Sequence, residues 1–554
     1  MSMHDALFGA YPIPTETAEL AHSIHPTGNL FMQLRDHFGM LYENHQFVTL
    51  FSSTGQPALA PARLALVTIM QFIEGLSDRQ AADAVRDRIS WKYALGLPLN
   101  DRGFHFSVLS AFRTRIGAGE REQIFLDTIL HHFRDAGLLR SRGQQRTDST
   151  HVLAAVRGLS RIECVGETMR ATLNALATAA PAWLRAHIPT DWFDRYGPRF
   201  DSYRFPKDAA ARQVIAEQIG TDGCQLLSLL ASSTTPVHLP ALPAVTVLRQ
   251  VWWQQYYAAP DRVQWRAVAD LPPGSLRIHS PYDVEARFSL KRATTWTGYK
   301  VHITEVCDSD RPHLITQVLT TAATTGDVSV VAPIHAVLAG RDLLPAIHIV
   351  DAGYTDAAEL LASEAPYGIK LHGPVARDGS WQAKDSAAFD LTHFRIDWDA
   401  KEAICPQGHA SAKWIPHQDT HGNPAIRVTF RPQICRACPV RPHCTHTAVG
   451  ARGLSLRPQA QHETLTHACQ QQRTTTFKQQ YALRAGIEGT MSQATRVCGM
   501  RQSRYIGLAK TRVQHVITAS ALNLLRGLAW LDGQPHRQVR PSRFAALRPP
   551  AAGV

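Results

Sequence analysis

Gln145-Arg-Thr-Asp148-Ser-Thr-His151-Val-Leu-Ala154 alternates side chains in the way a β-strand requires. Successive strand residues face opposite ways, so Thr147, Ser149 and His151 share one face and Asp148 takes the other. A second stretch, Ala346-Ile-His-Ile-Val-Asp351, is an apolar run of buried-strand type that closes on an acid before Ala352-Gly353-Tyr354. A carboxylate where a buried strand emerges is held rigidly by its sheet, which favours chemistry there. The plain alternative is an Asp that caps a turn.

Strand and helix patterns spread outward from these two runs. Gly298-Tyr-Lys-Val-His-Ile-Thr-Glu305 alternates as a strand, His313–Leu319 is its expected partner, and a helix is expected at about 327–340. Residues 1–140 read as helical. Pro61–Glu74 has helical apolar spacing, Gly75 ends it, and Ser77 is placed to N-cap Asp78–Val85. Two helices across a glycine turn suit a helix-turn-helix and an ordinary bundle equally. Residues 160–280 return to helical patterning rich in Ala, Leu and Trp, and 460–531 is helical again. The pattern predicts an α/β protein. The tail, 532–554, reads as a disordered basic segment rich in proline and arginine.

At 554 residues the chain exceeds one hydrophobic core and predicts roughly two to four folded units. With 44% hydrophobic and 19% charged residues it reads as globular, not disordered. A formal net charge of +12 favours a polyanionic partner. The opening residues lack a signal-peptide pattern, and Val516–Leu531 is interrupted by Thr518, Ser520, Asn523 and Arg526, so it reads as a core helix and not a membrane span. Nine cysteines without a secretory signal suggest a reduced, cytoplasmic chain.

A third acid, Glu488, lies in Tyr481-Ala-Leu-Arg-Ala-Gly-Ile-Glu-Gly-Thr-Met. A continuous helix would present Tyr481, Arg484 and Glu488 on one face. The plain reading is an exposed Arg–Glu pair. Gly486 and Gly489 bracket the Glu although each weakens a helix by roughly 1 kcal/mol, which suits a large ligand approaching the backbone. From Arg496 onward there are ten Arg and Lys residues against one acid, Asp532. Arg496, Arg501, Arg504, Lys510 and Arg512 follow the Glu488 helix directly, with no acid among them, and suit the phosphate backbone of a nucleic acid.

Cys405-Pro-Gln-Gly-His409 and Cys435-Arg-Ala-Cys438-Pro-Val-Arg-Pro-His-Cys444 form a thiol-rich cluster. A C-x2-C pair with two flanking cysteines suits a structural Zn²⁺ site, with His409 or His443 as an alternative ligand; four reduced cysteines without metal is the other reading. Trp381, Trp398 and Trp414 in the same segment read best as core.

Thr147-Asp-Ser-Thr-His-Val, Asp351-Ala-Gly-Tyr and Tyr481-x-x-Arg484-x-x-x-Glu488 together resemble the three signature segments of bacterial insertion-sequence DDE transposases. Gly55-Gln-Pro-Ala-Leu-Ala-Pro61, Gly75-Leu-Ser-Asp-Arg-Gln-Ala-Ala, Ser280-Pro-Tyr-Asp-Val-Glu-Ala-Arg and Gly298-Tyr-Lys-Val-His support the resemblance, which spans roughly residues 25–530. It implies an RNase H-like mixed sheet with helices, a helical N-terminal domain over 1–140 for DNA binding or dimerisation, and a core over 141–371 with a helical insertion at 160–280. A Cys-rich insertion would occupy 372–460 and the catalytic C-terminal helices 461–531.

Carried over, Asp148, Asp351 and Glu488 hold Mg²⁺ or Mn²⁺ and cut and rejoin DNA, while Tyr481 and Arg484 position a phosphate. The implied partners are double-stranded DNA, both terminal inverted repeats and target, and a second copy as a homodimer; the implied place is the cytoplasm, at the nucleoid. One departure stands out. The family pattern places a lysine seven positions after the Glu; here that position is Thr495, with Arg496 beside it. A non-catalytic DNA-binding regulator derived from such an enzyme, or a metal-dependent nuclease without strand transfer, are the competing readings.

Overall fold

The computed structural model describes residues 11–534 apart from 53, 57, 201–204, 259–262, 377, 421 and 448, together with 543, 544 and 547. Most of the 532–554 tail therefore lies outside the described residues. The chain divides into two compact units: 1–140 with 148–325 and 487–554, and 141–147 with 326–486.

The first unit begins with helices, among them Pro61–Glu74 (α1) and Asp78–Asp87 (α2). Proline stands in the first turn of α1, where its missing N–H costs no hydrogen bond, and Gly75 ends the helix in the left-handed conformation at φ +69°. Ser77 then caps α2: its hydroxyl accepts from the Gln80 N–H while the Gln80 side chain accepts from the Ser77 N–H. These ends fall where the sequence puts them.

The expected strand is Gln144–Leu153 (β1), of which Asp148 onward belongs to this unit. A hairpin follows, Arg287–Lys291 (β2) and Thr294–Val306 (β3), and then Ile315–Ala322 (β4). β3 pairs antiparallel with β2 and with β4 and also lies beside β1. Gly298 permits that closeness, because a Cβ there would strike the Val152 carbonyl and the Ala154 nitrogen. Between β1 and the hairpin, helices Arg161–Ala179, Ala209–Leu230 and Pro243–Gln255 close over their own core of Met169, Trp192, Leu226, Leu248 and Trp252.

The unit ends with Gly486–Cys498 (α3), from Ile487 on, and Leu508–Leu531 (α4). α4 is buried along most of its length, Thr518, Ser520 and Asn523 included. The hydroxyls of Thr518 and Ser520 bond to the carbonyls of Gln514 and Val516 one turn back, so these two of the polar residues that interrupt the apolar run are satisfied within the helix. No helix among the described residues is long and apolar enough to cross a membrane.

In the second unit Gln144–Thr147 of β1 pairs in parallel with Ile347–Val350 (β5), which pairs in parallel with Lys370–His372 (β6). The cysteine-rich segment forms an antiparallel sheet, Lys413–Gln418, Pro424–Thr429 and Gly453–Leu456, over Phe394, Val428, Phe430 and Leu456. Trp398 and Trp414 meet edge to face at 5.5 Å against this core, and Trp381 stacks on His446 at 3.7 Å.

Candidate active site

The parallel ladder of β1 and β5 runs from Gln144↔Ile347 to Thr147↔Val350. The next residue along each segment is an aspartate: Asp148 continues β1, and Asp351 directly follows the end of β5. A buried polar chain fixes this register: Thr147 Oγ1 lies 2.6 Å from His348 Nε2, and His348 Nδ1 lies 2.8 Å from His335 Nε2. Burial pushes the His335 imidazole down to about 4, and burial with the neighbouring His335 holds His348 well below its ordinary value. Both rings are therefore neutral at pH 7. A slip of one residue would turn Thr147 away from His348 and leave buried nitrogens unbonded.

Asp351 is half-buried and opens the short turn Ala352–Tyr354, with the Tyr354 N–H bonded to its carbonyl at 3.0 Å and the Tyr354 ring buried below. Gly353 packs against the carboxylate of Asp327; a Cβ there would lie 3.1 Å from Asp327 Oδ2. The sequence gives no signal for this acid, which sits in a short loop, and only the fold brings it beside the Asp351 turn.

In the first unit Asp148 is half-buried and its Oδ1 accepts from the Ser149 N–H at 2.7 Å. Thr150, two residues along on the same strand face, accepts from Arg501 Nε at 2.9 Å. Glu488 is exposed in the first turn of α3. Its helix is anchored from behind. Thr490 Oγ1 donates to Glu305 Oε2 at 2.6 Å, and Arg526 donates to Glu305 at 2.9 Å, to Thr490 at 2.7 Å and to Gln493 at 2.9 Å. Glu305 is wholly buried, so the Arg526 guanidinium neutralises a charge that would otherwise be costly.

The expected continuous helix from Tyr481 to Glu488 is not formed. One helix ends at Ala482, a tight turn covers Leu483–Ala485, and α3 starts at Gly486. The cause lies far away in sequence: Arg146 Nη1 donates to the Leu483 carbonyl at 2.6 Å, and its guanidinium occupies the space a Cβ on Gly486 would need. Gly486 thus makes room for Arg146, whereas the position of a Cβ on Gly489 is open. Tyr481, in the last turn of the first helix, and Arg484, in the Leu483–Ala485 turn, stay together, with the guanidinium 5.9 Å from the ring centroid.

The basic stretch after α3 is put to mixed use. Arg496, Arg501 and Lys510 are exposed. Arg504 lies 4.5 Å over Phe72 and donates to the Leu76 carbonyl at 3.2 Å, and Arg512 is partly buried with its charge acting on Glu122. Arg504 and Arg512 therefore serve the packing of the first unit. Two acids of Ser280-Pro-Tyr-Asp-Val-Glu also have a structural task. Asp283 Oδ2 accepts from the Gly507 N–H at 3.3 Å and Glu285 Oε2 from the Leu508 N–H at 2.8 Å, so both cap the start of α4.

Cys405, Cys435, Cys438 and Cys444 line one pocket with His409 and Arg452, and His443 is not part of its wall. None of the four is in a disulfide. Burial, together with the other three thiols, raises the Cys444 thiol against the pull of Arg452. Among the described residues no group of three or more His, Cys, Asp and Glu is set to hold a metal ion, at this pocket or elsewhere.

Two family models match the chain. One, described as Transposase domain (DUF772), covers residues 21–115, the helical start of the first unit. The other, Transposase DDE domain, covers 404–528, which takes in the cysteine pocket, Glu488 and most of α4. The chain thus carries transposase domains at both ends. The kind they support is an insertion-sequence DDE transposase. Asp148 and Asp351 lie outside both matches. No curated protein and no solved structure matches the chain.

Proposed function

We propose that this chain catalyses metal-dependent cleavage and strand transfer of DNA with Asp148, Asp351 and Glu488 as its acidic triad, on an RNase H-like core. The observation that carries the reading is the parallel β1–β5 ladder, which ends one residue before an aspartate on each strand. Strand pairing supports the core: β1 has β3 beside it in the first unit, and in the second its first residues pair in parallel with β5, which pairs in parallel with β6. The three carboxylates supply hard oxygen donors of the type Mg²⁺ or Mn²⁺ prefers, so the donor chemistry fits. Bound there, the metals would activate the attacking water or 3′-hydroxyl and stabilise the leaving oxygen. Asp148 is held within β1, Asp351 directly after β5 where the Ala352–Tyr354 turn begins, and Glu488 by a helix clamped through Arg526. Tyr481 and Arg484 orient a backbone phosphate, for which a guanidinium is suited by its paired N–H groups.

The cysteine pocket, on this reading, is a structural zinc site separate from the catalytic metals, since its donors are soft thiols. The DNA partners are the element's terminal inverted repeats and a target duplex, bound by a homodimer in the cytoplasm. Glu488→Gln, Asp148→Asn and Asp351→Asn test the triad. Each should abolish cleavage of a duplex ending in the element's terminal repeat while DNA binding is kept. A variant that still cuts at the normal rate removes that residue from the triad. Cleavage without joining would make the protein a nuclease.

A further inference from the structure

The C-terminal end of β1 carries a rim of cations, of which Lys291 and Arg292 lie outside the signature segments and both family matches. On one side the Ala154 N–H bonds to the Thr297 carbonyl of β3 at 3.0 Å, which brings the β2–β3 hairpin alongside. On the other, residues 501–503 add a short parallel pairing: the Leu153 N–H bonds to the Arg501 carbonyl and the Ser503 N–H to the Leu153 carbonyl, each at 2.8 Å. The hairpin turn is Arg292-Ala293, with Arg292 in the left-handed region at φ +56°.

Lys291, Arg292 and Arg501 are all exposed, and among the described residues none has a carboxylate partner. Thr150 takes only the Nε–H of Arg501, which leaves both Nη groups for a ligand. The charges of Arg501 and Lys291 both act on His151, so the hairpin tip and the 501–503 segment flank one short stretch of β1. Leu290 is 61% and Leu153 42% exposed beside them. Neighbouring cations without acids repel one another, and a polyanion relieves that repulsion. Thr150 and Asp148 are on one strand face about 7 Å apart, so the rim begins next to the proposed triad.

We propose that Arg501, Lys291 and Arg292 form a track for the sugar–phosphate backbone of the DNA strand that leads away from Asp148. Arg501 grips the phosphate nearest Asp148, and Lys291 and Arg292 hold those further out. The sugars of that strand lie against Leu290 and Leu153. This rests on the DNA-cleaving reading above and extends it to the tip of a hairpin, Lys291 and Arg292, that the quoted motifs flank but do not include.

The test is binding of a labelled duplex by the full chain across a range of salt, with chelator present so that nothing is cut. Variants are Arg501→Ala, the pair Lys291→Ala with Arg292→Asn, and Arg185→Ala as a control on a distant exposed helix. Asn tolerates the positive φ at 292, so the turn is kept. The salt slope should become shallower by about 0.9 for Arg501→Ala and about 1.8 for the pair, with equal loss for specific and random duplexes. The control slope should not change. An unchanged slope in the pair, in a wild-type chain that binds DNA with clear salt dependence, overturns the track and leaves the transposase reading standing. A wild-type chain that does not bind DNA overturns both.

Discussion

Arg146 on β1 reaches across its own unit to hydrogen-bond the Leu483 carbonyl at 2.6 Å, and so ends one helix just before α3 begins. The contact joins two segments 337 residues apart in the chain. Because Gly486 lies against the same guanidinium, the two positions are coupled.

Gly486→Ala should therefore destabilise the protein although alanine is the better helix former. A forced shift of Arg146 should outweigh a propensity gain of roughly 1 kcal/mol and leave a net cost of about 1–3 kcal/mol. Gly489→Ala, with open space around it, should be neutral or mildly stabilising. Thermal melts of the two variants give opposite signs if Gly486 is there for packing, and the same sign if it is not.

Arg526→Ala leaves Glu305 charged, fully buried and without its guanidinium, which should cost about 3–5 kcal/mol. Pairing it with Glu305→Gln removes the buried charge and should restore part of the loss. Urea titrations of the single and double variants make a cycle whose coupling term should be large; additive effects would mean that the clamp on α3 is not energetically real.

Acid should weaken the fold before carboxylates titrate. Burial holds His335 and His515 at about 4, whereas an exposed imidazole titrates near 6.5. Below about 6.5 the unfolded chain accepts protons that the folded chain refuses. The stabilisation is complete above that pH and is lost as pH falls toward 4, on the order of 3 kcal/mol for each ring. Urea midpoints measured from pH 7 to 4.5 should decline steadily, and His515→Gln should flatten the decline. A level profile would mean that these rings are protonated in the native protein.

Purified under reducing conditions without chelator, the protein should contain about one zinc per chain. Cys435→Ser with Cys438→Ser should remove the metal and lower the melting temperature, whereas Cys224→Ser should leave the metal in place. Metal analysis without zinc would reduce the pocket to four packed thiols.

Much of the scaffold was legible locally. Gly75, Ser77 and Gln80 mark the end of one helix and the start of the next through neighbours a few residues away, and the strand around Asp148 follows from its own alternation. What local pattern could not show was distant in sequence. The helix break before Gly486 is imposed by Arg146, and Asp283 with Glu285, besides belonging to a signature segment, cap α4. Arg504 and Arg512 were legible only as charge, and the Phe72 ring and Glu122 became their neighbours by folding. Asp327 carried no local mark at all, since its place beside Gly353 is made by folding.

The side-chain amide of Asn523 bonds to both backbone groups of Ile315, accepting from the N–H at 2.7 Å and donating to the carbonyl at 2.8 Å. In effect Asn523 imitates a neighbouring strand and seals the start of β4 against pairing with another chain. Residue 523 leaves the ribosome some two hundred positions after Ile315 does. Throughout that interval β4 waits with an open edge, and the first unit, which also needs 487–554, cannot close. Its assembly therefore waits for residues from 487 onward, and until they emerge that edge is open to foreign strands.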